Sequence, residues 1–113
     1  MYIYIINCED NSLYTGVAKN IEHRLKEHKN KLPTGAKYTK SHSAKSLVAL
    51  WLTEDKSAAY KLEYHLKKLS RLKKLEIIFN NDNLSKYFEN VIDVTVFSRQ
   101  NEETISKLNS EIF

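Results

Sequence analysis

The feature that most constrains this fold is a pair of strand-like segments joined by three turn-forming residues. Residues 2–8 alternate aromatic and aliphatic side chains without a helix breaker, and residues 12–17 resume that pattern. Residues 9–11 are Glu, Asp and Asn, of which aspartate and asparagine tolerate left-handed backbone angles and bond their own backbone. The sequence therefore predicts an antiparallel hairpin over residues 2–17. Gly16 predicts either close approach of another group to the backbone or a positive φ angle.

A short helix is predicted immediately after the hairpin. Asn20 is a good N-cap, and Ile21 and Leu25 are spaced four apart, as on one buried helix face. Arg24 and His28 are also four residues apart, so they lie one above the other on an adjacent face. This helix therefore presents a cationic pair beside its buried stripe.

The middle of the chain contains a basic loop, a strand and a long helical segment. The loop, residues 30–46, is rich in lysine, whereas residues 46–53 are mostly apolar and predict a strand covered on both faces. From residue 58 to 79 apolar side chains recur at helical spacing, and Ser70 is where this segment could divide into two helices. Glu63 lies at the edge of the apolar stripe, where a carboxylate needs a partner.

The last part of the chain predicts a C-terminal extension. Residues 80–83 are a turn or cap cluster, residues 91–97 alternate as in a strand, and residues 101–113 show helical spacing. The length of 113 residues and the apolar content of 42% allow one compact domain. We therefore expect a core over residues 1–78 and an extension over residues 79–113 packed on the same domain.

Charge divides at the same boundary. Residues 1–78 hold 15 Lys or Arg against 8 Asp or Glu, a difference of +7, and residues 79–113 hold 3 against 6, a difference of −3, which together give the overall +4. A basic body predicts a polyanionic partner, although a solvated lysine-rich surface explains the charge alone equally well. One cysteine, Cys8, and no apolar run of roughly 18 residues favour an intracellular, cytoplasmic protein outside the membrane.

Several side chains in this pattern could together hydrolyse a phosphodiester. Arg24 is always ionised and can bond two phosphate oxygens at once. Glu63 could hold one Mg²⁺ or Mn²⁺ ion, since these ions keep several waters and complete their coordination with phosphate. A tyrosine hydroxyl ionises only near pH ~10, whereas histidine titrates near neutrality. Tyr4 and Tyr14 would therefore position water and phosphate, with either Tyr14 or His28 as the base.

Taken singly, each of these residues has an ordinary explanation. Two tyrosines can stack across a hairpin, Arg24 and His28 can form a solvated helix face, and Glu63 with Lys67 is a routine helix ion pair. Their joint occurrence in one order favours chemistry, and a non-catalytic nucleic-acid-binding module with the same basic surface is the alternative. The residues expected to contact the phosphate backbone are Lys37, Tyr38, Lys40, Lys67, Lys68 and Arg71.

Two short motifs carry a further signal. Tyr2-Ile3-Tyr4 and Tyr14-Thr15-Gly16 resemble the two half-motifs of the GIY-YIG nuclease superfamily. The resemblance covers about residues 2–78 and is closest to small stand-alone members. Tyr2 stands where the name has Gly and Thr15 where it has Ile, at positions not expected to touch substrate. Val17 stands where some repair members have a lysine, which argues against base activation by a lysine here.

The resemblance implies an α+β fold with a three-stranded antiparallel sheet flanked by helices, and metal-dependent endonuclease activity. It makes Tyr4 and Tyr14 the half-motif tyrosines, Arg24 the helix arginine, His28 the position of a family His or Tyr, and Glu63 the metal ligand. The implied partner is nucleic acid, DNA more than RNA. No base-reading module fits the remaining residues, so cutting would be structure-selective or weakly selective. Monomer and homodimer both stay open.

Overall fold

The computed structural model describes residues 1–30 and 42–113, and shows an antiparallel sheet between two layers of helices. The α+β fold and the antiparallel sheet that the sequence predicts are confirmed. The predicted three strands are present, and a two-residue fourth strand extends the sheet. In chain order the strands are β1 (Tyr2–Cys8), β2 (Leu13–Ala18), β3 (Ala44–Leu52) and β4 (Ser98–Arg99).

Five helices surround the sheet in the described part of the chain. The predicted division at Ser70 is confirmed, because its hydroxyl accepts a hydrogen bond from the Lys73 backbone N–H at 3.3 Å and begins a new helix. None of the helices among the described residues is long and apolar enough to cross a membrane. The helices are α1 (Ile21–Asn30), α2 (Lys56–Lys68), α3 (Arg71–Phe79), α4 (Asp82–Phe88) and α5 (Glu102–Ile112).

The predicted hairpin between β1 and β2 is confirmed. Asn11 in its turn has a φ angle of 65°, in the left-handed region that asparagine tolerates. The Asp10 carboxylate accepts hydrogen bonds from the Ser12 backbone N–H at 3.0 Å and from its hydroxyl at 2.6 Å. The strand order is β2-β1-β3-β4, so β1 lies inside the sheet and β2 is an edge strand.

Alternate side chains of each strand point to opposite faces of the sheet. Helices pack on both faces, so the side chains on each face are buried. On one face Tyr4 packs with residues of α1 and α5, including Ile105. On the other face Ile5 and Trp51 pack with residues of α2, α3 and α4, including Leu62. The helix that follows the hairpin and the long leucine-bearing helix therefore cover opposite faces of the sheet.

The C-terminal residues are tied directly to the sheet around Trp51. The Trp51 indole N–H donates to the Asn81 side-chain oxygen at 2.7 Å, and the Arg99 guanidinium lies 5.1 Å from the indole ring centroid. Arg99 also donates hydrogen bonds to the carbonyls of Ile77 at 3.2 Å and Ile78 at 3.0 Å. These contacts join α3, α4 and β4 to the central strands, while the division of the chain into a core and an extension stays a prediction.

The predicted strand over residues 91–97 is wrong. Residues Val94–Val96 instead form one 3₁₀ turn, and β4 begins only after them. The Asp93 carboxylate accepts hydrogen bonds from the Thr95 backbone N–H at 3.0 Å and from its hydroxyl at 2.5 Å. Such local side-chain bonds compete with strand pairing. Residues 80–83, predicted as a turn or cap cluster, lead into α4, a helix that the sequence pattern did not indicate.

We predict that Asn109 fastens α5 to the sheet. Its side-chain oxygen accepts a hydrogen bond from the Leu47 backbone N–H at 2.7 Å, and its amide donates to the Leu47 carbonyl at 2.9 Å. Asn109→Ala should therefore lower the free energy of unfolding by about 2 kcal/mol, measured by urea denaturation, because both backbone groups of Leu47 lose their partner. Exposed Ser110→Ala on the same helix should stay within about 0.5 kcal/mol of wild type. Equal stability of the two variants would contradict this role.

Candidate active site

The candidate site is centred on the hydroxyl of Tyr4, a fully buried residue of the inner strand β1. Its oxygen lies 2.8 Å from Nε2 of His28, which is also fully buried. The Arg24 Nε–H donates to the same oxygen at 3.4 Å. Because the guanidinium is a donor only, the Tyr4 oxygen accepts this bond, and the tautomer of His28 determines which group donates in the bond between Tyr4 and His28.

Gly16 makes room for this tyrosine. The strand register places Gly16 opposite Tyr4, and a Cβ atom on Gly16 would lie 2.4 Å from the Tyr4 Oη and 2.5 Å from its Cζ. The φ angle of Gly16 is not positive. Of the two explanations that the sequence left open for this glycine, close approach of another group is therefore the correct one.

Helix α1 positions Arg24, which is charged, and His28, which its lowered pKa keeps neutral at neutral pH. Asn20 caps the helix, as predicted, by accepting a hydrogen bond from the His23 backbone N–H at 3.1 Å. Leu25 is fully buried against the sheet and fixes the helix face. Arg24 and His28, one turn apart, then both reach the Tyr4 hydroxyl.

Tyr14 stands beside this group on the edge strand β2. Its ring centroid lies 6.3 Å from that of Tyr4 and 5.3 Å from that of His28. Tyr14 is half-buried, whereas the other two rings are fully buried. The Lys67 ammonium of α2 lies 5.8 Å from the Tyr14 ring centroid. An aromatic cluster thus connects α1 to α2 around the edge strand.

Glu63 joins the site through Lys67. The Lys67 Nζ lies 3.4 Å from Glu63 Oε2, and the Glu63 side chain is 20% exposed. Burial is the main cause of the raised pKa of Tyr4, and the charge of Glu63 adds to it. Although α2 packs on the opposite face of the sheet, its Lys67 reaches Tyr14 of the edge strand β2.

The site fits a metal ion held through one carboxylate. Among residues 1–30 and 42–113, no three His, Cys, Asp or Glu side chains lie together as a complete metal-binding set. Magnesium needs no such set, because it retains several waters and takes phosphate oxygens as further ligands. The partly exposed carboxylate of Glu63 is a suitable hard ligand of this kind.

The protonation states follow from burial and neighbouring charge. Burial raises the pKa of Tyr4 well above its ordinary value, with the charges of Tyr14 and Glu63 adding to the effect and Arg24 opposing it. Burial, together with the charge of Arg24, lowers the pKa of His28 to about 4. Burial acts against the charge of Arg24, but its hydrogen bond to Tyr4 and the charge of Glu27 leave its pKa raised. At neutral pH, Tyr4 is therefore protonated, His28 neutral and Arg24 charged.

The predicted nucleic-acid contacts are only partly described. Lys68 Nζ lies 4.2 Å from the Tyr64 ring centroid, and the Arg71 Nε–H donates to the Asn11 carbonyl at 3.0 Å. Lys67 borders the aromatic cluster. The remaining predicted contacts, Lys37, Tyr38 and Lys40, lie outside the described residues.

The sequence reasoning missed Glu27, a buried carboxylate 3.7 Å from Arg24 Nη1. Its spacing of three residues from Arg24 was visible as a helix ion pair. Spacing alone does not tell whether such a pair is buried or exposed. Only the packing of α1 against the rest of the protein reveals that this carboxylate belongs beside the site.

Comparison with known proteins identifies the family of this chain. A family model described as the GIY-YIG catalytic domain matches residues 1–76. That match confirms the resemblance that the two half-motifs predicted, and it includes every residue of the candidate site.

Similar proteins are small bacterial proteins named UPF0213. One from Fusobacterium nucleatum is 41% identical over 95 residues, which cover 84% of this chain and 93% of that protein. One from Staphylococcus saprophyticus is 51% identical over 77 residues, which cover 68% of this chain and 92% of that protein. The solution NMR structure of a UPF0213 protein from Bacillus halodurans has 36% identity and a TM-score of 0.46, covering 77% of this chain and 95% of that one.

We predict that His28 makes stability depend on pH. Because its pKa falls from 6.5 to about 4 on folding, the unfolded chain binds the proton more readily, and stability decreases as pH falls between these values. The shift corresponds to about 3 kcal/mol. Urea denaturation at pH 7 and pH 4 should show a smaller loss for His28→Gln than for wild type, since the carboxylates titrate in both. An equal pH dependence of the two proteins would refute the prediction.

We also predict that Gly16→Ala displaces Tyr4. The added Cβ would overlap the Tyr4 ring, so the variant should lose about 1–3 kcal/mol of stability in urea denaturation. In a Tyr4→Leu background, where those ring atoms are absent, the same substitution should cost much less. An undiminished cost in that background would show that Tyr4 is not the cause.

Proposed function

This chain belongs to the GIY-YIG family, and we propose that it is an endonuclease that hydrolyses phosphodiester bonds in nucleic acid with a divalent metal ion. The observation that supports this best is a continuous series of contacts. Arg24 reaches the Tyr4 hydroxyl, the Tyr4 ring neighbours Tyr14, and Lys67 links Tyr14 to Glu63. A phosphate clamp, hydroxyl groups and a carboxylate thus lie in one region.

In this proposal Arg24 binds the scissile phosphate. Its guanidinium is charged at every physiological pH and has five N–H donors that match phosphate oxygens. Its side chain is 26% exposed, so a ligand can reach it. Negative charge grows on the phosphoryl oxygens as water attacks, and a fixed cation beside them lowers the barrier.

Tyr4 and His28 hold Arg24 rather than meeting water themselves. Both are fully buried, and the Tyr4 hydroxyl bonds to the imidazole nitrogen on one side and to the guanidinium on the other. Their burial disfavours proton exchange with solvent. We therefore assign the role of base to the half-buried Tyr14.

The deprotonated hydroxyl of Tyr14 would accept the proton of the attacking water as the water oxygen bonds to phosphorus and the bond to the leaving oxygen breaks. The Lys67 ammonium lies 5.8 Å from the ring centroid of this proposed base. Glu63 would hold Mg²⁺ or Mn²⁺, which when bound stabilises negative charge on the phosphate and on the leaving oxygen. The leaving oxygen finally takes up a proton from solvent.

We propose DNA rather than RNA as the main substrate, with cutting that follows substrate structure more than sequence. The proposed contacts from Lys67, Lys68 and Arg71 go to the phosphate backbone, which carries no base sequence. Affinity should therefore decrease as salt rises. The buried Cys8 forms no disulfide, which supports action inside the cell, in the cytoplasm. Monomer and homodimer remain equally compatible with this function.

The second candidate is a binding module that keeps the fold without turnover. It would use the same lysines, so affinity for nucleic acid cannot separate the two functions. Glu63 can separate them, because binding to the phosphate backbone does not need a carboxylate beside the site.

We predict that Arg24→Ala and Glu63→Ala each lower cleavage at least about 100-fold, by analogy with the loss of a single transition-state contact. The assay uses labelled single-stranded, duplex and branched DNA, with matched RNA, in Mg²⁺ or Mn²⁺. Glu22→Ala, an exposed carboxylate on α1, is the control and should cleave within about twofold of wild type.

Binding measured in EDTA completes this test. Glu63→Ala should bind as wild type does, since its carboxylate would act only with the metal. Cleavage of no substrate with either metal, together with intact binding, would establish the second candidate instead.

A further inference from the structure

Among the described residues, Glu27 is the only acidic side chain that is buried, with 6% of its surface exposed. It lies on α1 between Arg24 and His28. Its Oε1 is 3.7 Å from Arg24 Nη1 and 3.5 Å from His23 Nε2. The two partners differ, because the His23 side chain is 71% exposed and uncharged unless protonated, whereas the Arg24 side chain is largely buried.

Stability alone does not account for this placement. A solvent-exposed pair at three-residue spacing contributes little and needs no burial. Burial of a carboxylate is costly unless a fixed opposite charge compensates for it. Arg24 supplies that charge permanently, so the carboxylate and the guanidinium depend on each other.

The Arg24 guanidinium is held at two of its nitrogens. Its Nε faces the Tyr4 hydroxyl at 3.4 Å, and its Nη1 faces Glu27. Two contacts on different nitrogens of a planar group define the orientation of the plane as well as its place. Loss of the Glu27 charge would remove the contact at Nη1 and leave the plane less restrained.

We propose that Glu27 is a positioning residue that orients the Arg24 guanidinium for the scissile phosphate, an inference that rests on the endonuclease function proposed above. A preorientated donor needs no reorganisation during the reaction. An arginine side chain otherwise loses rotamer entropy when it is fixed during the reaction. Glu27 therefore acts on the rate of cleavage more than on the affinity for nucleic acid.

The first test needs no cleavage. In the free protein, the ¹⁵N–¹H signal of Arg24 Nε should be sharp and protected from exchange in wild type. It should broaden or vanish in Glu27→Gln, which keeps the size of the side chain and removes its charge. It should persist in His23→Ala, which removes another partner of Glu27. An unchanged signal in folded Glu27→Gln overturns the inference. Should Glu27→Gln not fold, Glu27→Asp replaces it, because its shorter side chain withdraws the carboxylate from Arg24 Nη1. A lost signal in Glu27→Asp with a preserved one in His23→Ala then supports the inference, and the same signal in both overturns it.

The second test measures single-turnover cleavage. Glu27→Gln should cleave about 10–100-fold more slowly than wild type, as expected for a displaced catalytic contact, while its dissociation constant for DNA changes less than about threefold. In an Arg24→Ala background, Glu27→Gln should have almost no further effect, because the group that it orients is absent. If the losses in cleavage rate from the two substitutions multiply in the double variant, Glu27 acts by another route and the inference is overturned. If wild type cleaves nothing, the proposed function fails, and the NMR signal alone decides whether Glu27 positions Arg24.

Discussion

The structure depends on one hydroxyl group placed inside the sheet. Tyr4 lies on an inner strand, and a buried polar group is costly unless it is hydrogen-bonded. His28 and Arg24 meet that requirement from the next helix, while Gly16 leaves the space that the ring occupies. A slip of the hairpin by one residue would turn Tyr4 to the other face and leave its partners unsatisfied. The hairpin register and the docking of α1 are therefore set by the same contact.

The C-terminal helix supports the same face of the sheet. Ile105 and Leu108 of α5 belong to the buried cluster that contains Tyr4, and Asn109 bonds to both backbone groups of Leu47 in β3. The site residues all lie in the first 67 positions, yet the packing around Tyr4 draws on Ile105 and Leu108. A sequence match that ends at residue 76 thus contains the candidate site and omits part of what stabilises it.

What the sequence could predict depended on whether the signal was local. Turn chemistry at Asn11, the cap at Asn20 and the division at Ser70 each act within a few residues, and all three appear as predicted. The extension was harder, because the pattern at residues 91–97 looks like a strand until the hydrogen bonds of Asp93 redirect it. Pairing across distant segments has no local signature, and β4 is only two residues long.

The same distinction applies to the candidate site. Tyr4, Arg24 and His28 could be grouped from motif and helix spacing, because the hairpin and α1 are adjacent in sequence. The role of Lys67 in the site could not be predicted from the sequence, because it depends on how α2 passes the edge strand and reaches Tyr14. The burial of Glu27 could not be predicted either, because a helix pattern shows which residues are neighbours but not which of them are exposed to water.

Burial also separates the tasks of residues that the sequence could only treat as one set. The fully buried Tyr4 and His28 are joined by a hydrogen bond, and a raised pKa for the phenol with a lowered one for the imidazole keeps both groups uncharged at neutral pH. Groups in that state suit a fixed support better than proton exchange with water. Arg24, Tyr14 and Glu63 are partly exposed. In the proposed endonuclease, the uncharged interior would hold the geometry of these exposed residues constant, so that they are in place when a phosphate binds.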